Sequence, residues 1–375
     1  MARKGENIYR RKDGRWEGRY IQFYDDCGKA KYGYVYARTY SEVKQRLLHK
    51  KVHSVAPIVT RRSSFKYEDV LDDWMRFSKM NIKESSYARY LHLINTHIRP
   101  LLGKYLISKI STQLVESFIN KLLTDGRLNG RGALSAKTVS DILAIIKSTM
   151  EYAKYNNIDV ICKLGKLTIK QQRKEVRVLT AVEQDALVDF LTENMDLSKF
   201  GVLLSLYTGL RIGELCALQW EDISLQFSIL KVQKTLQRIQ ETDKATTAKT
   251  KVIITKPKSE CSIRVIPIPA FLVTIAKQFS NVPKAYVLSG KENKYVEPRT
   301  MQNHFKQYAA ACGIENASFH VLRHTFATRC IEVGFEVKSL SEILGHANVN
   351  ITLNRYVHSS FDLKSSNMNK LLFPK

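Results

Sequence analysis

The chain contains no run of about 18 uncharged apolar residues, and its first residues, Met1 to Tyr9, are polar with no apolar segment behind them. Neither a transmembrane helix nor a signal peptide is expected, so the sequence predicts a soluble protein of the cytoplasm with no membrane partner. Cysteine is sparse and scattered. Cys27, Cys162, Cys216, Cys261, Cys312 and Cys330 form no Cys-x-x-Cys pair, and no histidine stands at zinc-finger spacing from them. That spread predicts reduced thiols and no metal. Acidic side chains are the other shortage: 35 Asp+Glu stand against 60 Lys+Arg, a formal charge of +25 on 375 residues. A field of this sign attracts polyphosphate or anionic lipid, and the missing apolar segments disfavour the lipid. Internal repeats and low-complexity tracts are also absent. The 44% hydrophobic and 10% aromatic residues suffice for buried cores in two or three domains.

The positive charge is concentrated at the start, where residues 1–62 hold 16 Lys+Arg and 6 Asp+Glu. Ile8-Tyr-Arg-Arg, Trp16-Glu-Gly-Arg-Tyr-Ile-Gln-Phe23 and Tyr32-Gly-Tyr-Val-Tyr36 are separated by turn residues at Lys12-Asp-Gly14 and Asp25-Asp-Cys-Gly28. Aromatic and β-branched runs between such turns predict a three-stranded antiparallel meander. Thr39-Tyr-Ser41 then caps an amphipathic helix ending near Val52. Arg10, Arg11, Lys12, Arg15, Arg19, Lys29, Lys31 and Arg38 lie on or beside the strands. This geometry can lay a sheet face against a DNA groove.

Residues 53–64 read as a linker, after which the apolar period becomes helical. Helices are predicted over 66–80, 86–98, 112–123 and 135–155, with Pro100 and Gly103 breaking the chain between the second and third. Residues 163–177 form a second, basic linker. The third unit opens on the capping box Thr180-Ala-Val-Glu183 and a helix over 181–192. Helices dominate it, apart from a small strand platform between 228 and 269 built from residues 229–232, 252–254 and 263–266. The fold class is therefore α+β, divided into residues 1–58, 65–162 and 178–375.

The basic and imidazole groups that stand out by context lie in this third unit. Arg211 sits between two glycines in Thr208-Gly-Leu-Arg-Ile-Gly-Glu-Leu215, a stretch read as apolar and helical. An arginine there must be paired or face a ligand, and Glu214, three residues on, is placed to hold its stem. His320 and Arg323 project at i and i+3 from a helix start behind Ser318, a candidate cap, where amides and dipole favour an anion. His346 follows Glu342-Ile-Leu-Gly345 in the turn after a helix. Tyr356 comes ten residues later, in Ile351-Thr-Leu-Asn-Arg-Tyr-Val357.

Taken in order, Thr208-Gly-Leu-Arg211-Ile-Gly-Glu-Leu215, His320-Val-Leu-Arg323, Leu344-Gly-His346 and Tyr356 resemble the catalytic signature of the tyrosine recombinase (phage integrase) family. The helical unit is similar to that family's core-site binding domain. The N-terminal meander resembles the arm-type DNA-binding domain of integrases from temperate phages and conjugative transposons. The resemblance implies a site-specific recombinase that cuts DNA through a 3′-phosphotyrosine at Tyr356, passes through a Holliday junction and works as a homotetramer on core and arm sites, with an accessory DNA-bending protein setting direction. It also implies that a lysine in a strand turn protonates the departing 5′ oxygen. Lys258, nearer the tip of Thr255-Lys-Pro-Lys-Ser259, is the first choice and Lys256 the second.

The residue types suit such chemistry in their own right. A phenol displaces an alkoxide to leave an ester of comparable energy, so the reaction is reversible. Its ordinary pKa near 10 falls in a positive pocket. Two guanidiniums can fork onto the nonbridging oxygens and offset charge building at phosphorus, so no metal or other cofactor is expected. The apolar cluster Met368-Asn-Lys-Leu-Leu-Phe373 is expected to dock on the protein surface, on its own protomer or a neighbouring one. Two rival readings use the same residues: a type IB topoisomerase that relaxes one duplex, and a catalytically silent DNA-binding regulator.

Overall fold

A computed structural model of the chain describes residues 7–24, 30–53, 65–127, 132–171, 176–243, 246–257, 260–356 and 368. The chain divides into two compact units, Met1–Gln172 and Arg173–Lys375. Its mixture of helices with small antiparallel sheets is an α+β fold, as expected.

The first unit begins with the meander β1 (Ile8–Arg10), β2 (Trp16–Tyr24) and β3 (Ala30–Ala37), followed by α1 (Tyr40–His53). Ile8 pairs with Gly18 and Trp16 with Ala37. The amide of Glu42 bonds the Thr39 hydroxyl, the expected cap of α1. Val43 and Leu47 of α1 press onto one sheet face. A Cβ on Gly18 would stand 2.8 Å from Val43, so only glycine permits this approach. The turn at 25–28, Lys29 and most of the 53–64 linker lie outside the described residues.

The helical part of the first unit contains α2 (Tyr67–Lys79), α3 (Glu84–Leu93), α4 (Arg99–Leu102), α5 (Thr112–Asp125) and α6 (Ala136–Tyr155). Ser111 and Ser135 cap α5 and α6 through their hydroxyls. The Tyr67 hydroxyl is buried against Thr149 at 2.6 Å and ties α2 to α6. Two expectations need correction. Pro100 does not break the chain, because a π turn at Ile94–Ile98 carries α3 into α4 and already displaces the hydrogen-bond register that the proline would interrupt. Nor is 163–177 wholly a linker. Leu164 is buried in the bundle core, Leu167 and Ile169 pack beside it, and the Lys147 ammonium bonds the Leu167 carbonyl.

The second unit comprises α7 (Ala181–Thr192), α8 (Leu197–Thr208), α9 (Ile212–Ala217), β4 (Ile223–Ser224), β5 (Ile229–Val232), β6 (Thr235–Gln240), β7 (Thr250–Thr255), β8 (Arg264–Pro267), α10 (Ala270–Phe279), α11 (Pro298–Ala311), α12 (His320–Glu332), α13 (Val337–Leu344) and α14 (Val349–Tyr356). The strands form two ladders, β4-β5-β8 and β6-β7, where one platform was expected. β6 was missed because Arg238 and Gln240 interrupt its apolar run on the exposed side. The core gathers Phe200, Leu203, Trp220, Phe305 and Leu322 around α8. Against the sequence reading, Arg211 lies outside a helix interior: α8 ends at Gly209, and Arg211 is the residue before α9. Ser318 is not a side-chain cap either, since Phe319 precedes α12 in helical conformation and only the Ser318 carbonyl accepts, from Val321. Among the described residues no helix is long and apolar enough to cross a membrane.

Candidate active site

Two left-handed glycines build the floor of the site. Gly209 (φ +66°) ends α8 and Gly345 (φ +63°) ends α13, and at Gly209 a Cβ would also strike Phe326 at 2.6 Å. These turns leave carbonyls at helix C-termini, the negative end of the dipole, free to hold cations. Arg323, on α12, donates to the carbonyls of Gly209 (2.7 Å) and Leu344 (2.6 Å). Arg211 donates to the carbonyl of Gly345 at 3.2 Å. The two arginines, distant in sequence, therefore meet at one pair of helix ends.

Glu214 fixes the pair from behind. It is 4% exposed and accepts from the Arg211 amide (3.0 Å), the Arg211 guanidinium (2.7 Å) and both terminal nitrogens of Arg264 (3.1 and 2.8 Å). Burial pushes its pKa up, but the bonds and field of Arg264, with Arg211 adding, outweigh burial and hold it below the ordinary carboxylate value. Arg264 also donates to the Ile343 carbonyl at 2.5 Å, which ties β8 to α13.

Arg323 is 2% exposed, and burial together with neighbouring Arg211 lowers its pKa to about 9. A guanidinium with depressed proton affinity is a cation short of counter-charge, and such a site favours an incoming anion.

The imidazoles line the same space. His346 accepts from Arg323 at 3.0 Å through Nε2, which assigns the proton to Nδ1 and directs it to the Thr352 hydroxyl at 2.8 Å. Burial first, then Arg323 and Arg211, lower its pKa to about 3. His320, the first residue of α12, is exposed at the rim. Crowding by surrounding atoms and the cations Arg323, Arg355 and Arg211 lower it to about 4. Tyr356 ends α14 with 5% exposure, its ring parallel to that of His346 at 6.4 Å. Burial raises its pKa above the ordinary phenol value, although Arg323, Arg355 and Arg211 pull it down.

These shifts make stability depend on acid. In the unfolded chain the imidazoles take protons below about pH 6.5, whereas His346 and His324 (also near 3) stay neutral in the fold until much lower pH. Their contribution is complete above 6.5 and declines as pH falls. At pH 5 the loss is about 2 kcal/mol for each sequestered imidazole. Melting temperatures at constant ionic strength should drop between pH 7 and 5, above the range in which carboxylates titrate. His346→Gln should flatten the slope; an unchanged slope would count against this assignment.

The expected set Arg211, His320, Arg323, His346 and Tyr356 thus shares one neighbourhood of the second unit. Lys256 is exposed just after β7, and Lys258 lies outside the described residues, as does the tail apart from Met368. Sequence reasoning missed Arg264, although a signal existed: along β8 it shares parity with buried Ile266, while Val265 faces out. It also missed His324, one helical turn after His320. His324 is 9% exposed, and its Nδ1 lies 2.8 Å from the Tyr356 hydroxyl.

A family model described as the phage integrase family matches residues 177–362, spanning every residue of this cluster, and one described as phage integrase, N-terminal SAM-like domain matches 66–123. The chain belongs to the phage integrase family of tyrosine recombinases. Among relatives of this recombinase is a tyrosine recombinase XerC-like protein of Caldanaerobacter subterraneus subsp. tengcongensis, 28% identical over 316 residues, 77% of this chain and 78% of the relative. In fold it is similar to the Tn1549 transposon integrase solved with transposon right end DNA, with TM-score 0.66, 19% identity, and coverage of 82% of this chain and 99% of that one. A lambda integrase tetramer bound to a Holliday junction gives TM-score 0.55 at 18% identity, covering 92% and 97%.

Proposed function

We propose that this tyrosine recombinase integrates and excises a mobile DNA element by cutting and rejoining duplex DNA at specific sites. The observation that carries the reading is the meeting of Arg211 and Arg323 on the carbonyls of Gly209, Leu344 and Gly345, with the Tyr356 hydroxyl of the same chain in their field. A phosphodiester seated on the two guanidiniums has its nonbridging oxygens neutralised. Tyr356 attacks phosphorus, a 3′-phosphotyrosine forms, and the 5′ oxygen leaves with a proton from Lys258 or Lys256. His346, neutral and bonded to Arg323, steadies that guanidinium, and His320 at the rim bonds the incoming phosphate. The freed 5′ hydroxyls attack the partner duplex, and a second round resolves the Holliday junction, with four protomers in one assembly. The tail around Met368 is assigned a docking role on the protein surface, in its own protomer or a neighbouring one.

Domain roles follow the same reading: residues 1–58 bind arm sites, 65–162 bind core sites and 178–375 catalyse. The meander supports the first assignment. α1 covers one sheet face, and the other presents Tyr9, Tyr32, Tyr34 and Tyr36, with Arg19 over Tyr32 at 4.4 Å and Arg11 over Tyr36 at 5.4 Å. Arg10 and Lys12 are exposed beside it, while Arg11 and Arg15 are partly neutralised by Asp13 and Glu17. An accessory DNA-bending protein that sets direction completes the scheme.

The test is a nicked suicide duplex spanning the junctions of the element beside the gene. A covalent adduct whose modified peptide maps to Tyr356 supports the reading. No adduct under any condition favours the silent regulator, and relaxation of supercoils without site dependence favours the topoisomerase.

A further inference from the structure

We infer that His324 accepts the Tyr356 proton as the DNA strand is cut, and that a phosphate on the arginine pair is what permits the transfer. The inference deepens the recombinase reading and rests on it. It begins from geometry: the His324 Nδ1 stands 2.8 Å from the phenol oxygen, and both residues are buried, at 9% and 5% exposure. The edge of His320, at 4.4 Å between ring centres, packs against the imidazole from the same helix.

The other nearby groups are unsuited. Both nitrogens of His346 are occupied, one by Arg323 and one by Thr352, and its ring lies parallel to the tyrosine at 6.4 Å. Arg355 acts on the phenol as a neighbouring cation, and a guanidinium only donates. His320 touches the His324 ring rather than the hydroxyl. Among the described residues His324 alone holds a hydrogen bond to Tyr356 through an atom able to take its proton.

The titratable and charged groups facing this pair are His320 and Arg323 from α12, Arg355 from α14 and His346 from the turn before α14, with Arg211 acting on the phenol from the α8–α9 junction. They explain why the proton stays on oxygen without DNA. Burial and these neighbours hold His324 near 3, while burial keeps the phenol above its ordinary value, so transfer between the two groups alone is steeply uphill. An anionic phosphate between Arg211 and Arg323 reverses the local field and raises the proton affinity of the imidazole. As the Tyr356 oxygen–phosphorus bond forms and the phosphorus–5′ oxygen bond breaks, the phenolic proton passes to His324 Nδ1. The leaving oxygen takes a separate proton from the lysine, and the reverse step returns the first proton to the phenol. Tyr356 is thereby kept a neutral phenol until its target is seated.

The experiment uses the full chain and the same suicide duplex. Tyr356→Phe serves as control, so wild-type adduct that is absent from this control supports the recombinase reading whatever His324 does. In His324→Asn the amide keeps a polar atom near the Nδ1 position but cannot hold a proton. Cleavage should fall about 10²-fold or more at pH 7 and then climb with pH as solvent base takes over. A duplex with sulfur as the bridging 5′ atom, whose leaving thiolate needs no proton, should leave this deficit in place. Added imidazole should partly restore His324→Ala, with circular dichroism checking its fold; where that variant does not fold, His324→Asn decides. Wild-type rate in His324→Asn, a uniform loss with an unchanged pH profile, or full rescue by the sulfur substrate would each overturn the inference.

Discussion

Tyr356→Phe is expected to abolish covalent adduct formation outright, and Arg323→Ala to slow it by about 10³–10⁵-fold, with site binding largely retained in both. The phenylalanine keeps the packing of α14 against Ala327, Leu340 and Leu344 and removes only the hydroxyl bonded to His324. Arg323 has a larger structural part, since its guanidinium draws together the carbonyls of Gly209 and Leu344 and the imidazole of His346. Yet it is a buried cation short of counter-charge, and burial of such a group opposes folding. The alanine variant should therefore melt close to the wild-type temperature while losing its chemistry, which separates it from a core residue. Arg323→Lys should recover little, because one ammonium cannot fork onto a phosphate while bonded to two carbonyls. Binding survives because affinity is spread over many phosphate contacts. Adduct yield on denaturing gels, thermal melts and salt-matched binding curves read these three quantities separately. A large loss of melting temperature in Arg323→Ala would refute the claim that the site carries surplus positive charge.

What the sequence discloses depends on how far apart the interacting groups lie along the chain. The capping box at Thr180 and Glu183 joins residues three apart, and α7 runs over Ala181–Thr192 as that box predicts. Gly345 after Leu344 likewise marks the end of α13. The signature residues were legible because each carries its own local frame. Arg264 showed only its inward parity along β8 and His324 no frame of its own, since the roles of both come from partners far along the chain: Glu214 lies 50 residues before the first and Tyr356 lies 32 after the second. The same reasoning covers Pro100. Its helix-breaking tendency is local, and the π turn that accommodates it depends on the packing of Ile94 and Ile98 in the bundle core. Sequence logic also placed Arg211 in a helix, because an αL glycine between two helices leaves the same apolar pattern as one continuous helix.

Removing Glu214 should be the most destabilising single change in the site. In Glu214→Ala, Arg264 keeps only the carbonyls of Ser262 and Ile343 at 9% exposure, and the Arg211 amide loses its cap. Stranding a buried charge in this way costs about 3–5 kcal/mol, or roughly 6–20 °C in the melting of a unit this size. Glu214→Gln should fall between wild type and alanine, since the amide oxygen still accepts while the charge is gone. The informative variant is the double change Glu214→Leu with Arg264→Met, which replaces the ion pair by apolar groups of similar bulk and should recover most of the lost stability. Cleavage should not recover with it, because the Arg211 guanidinium would retain only the Gly345 carbonyl. A double variant as active as wild type would mean that Glu214 and Arg264 serve the fold alone. A stable but inactive one would show that the buried pair is kept to aim Arg211 at the phosphate.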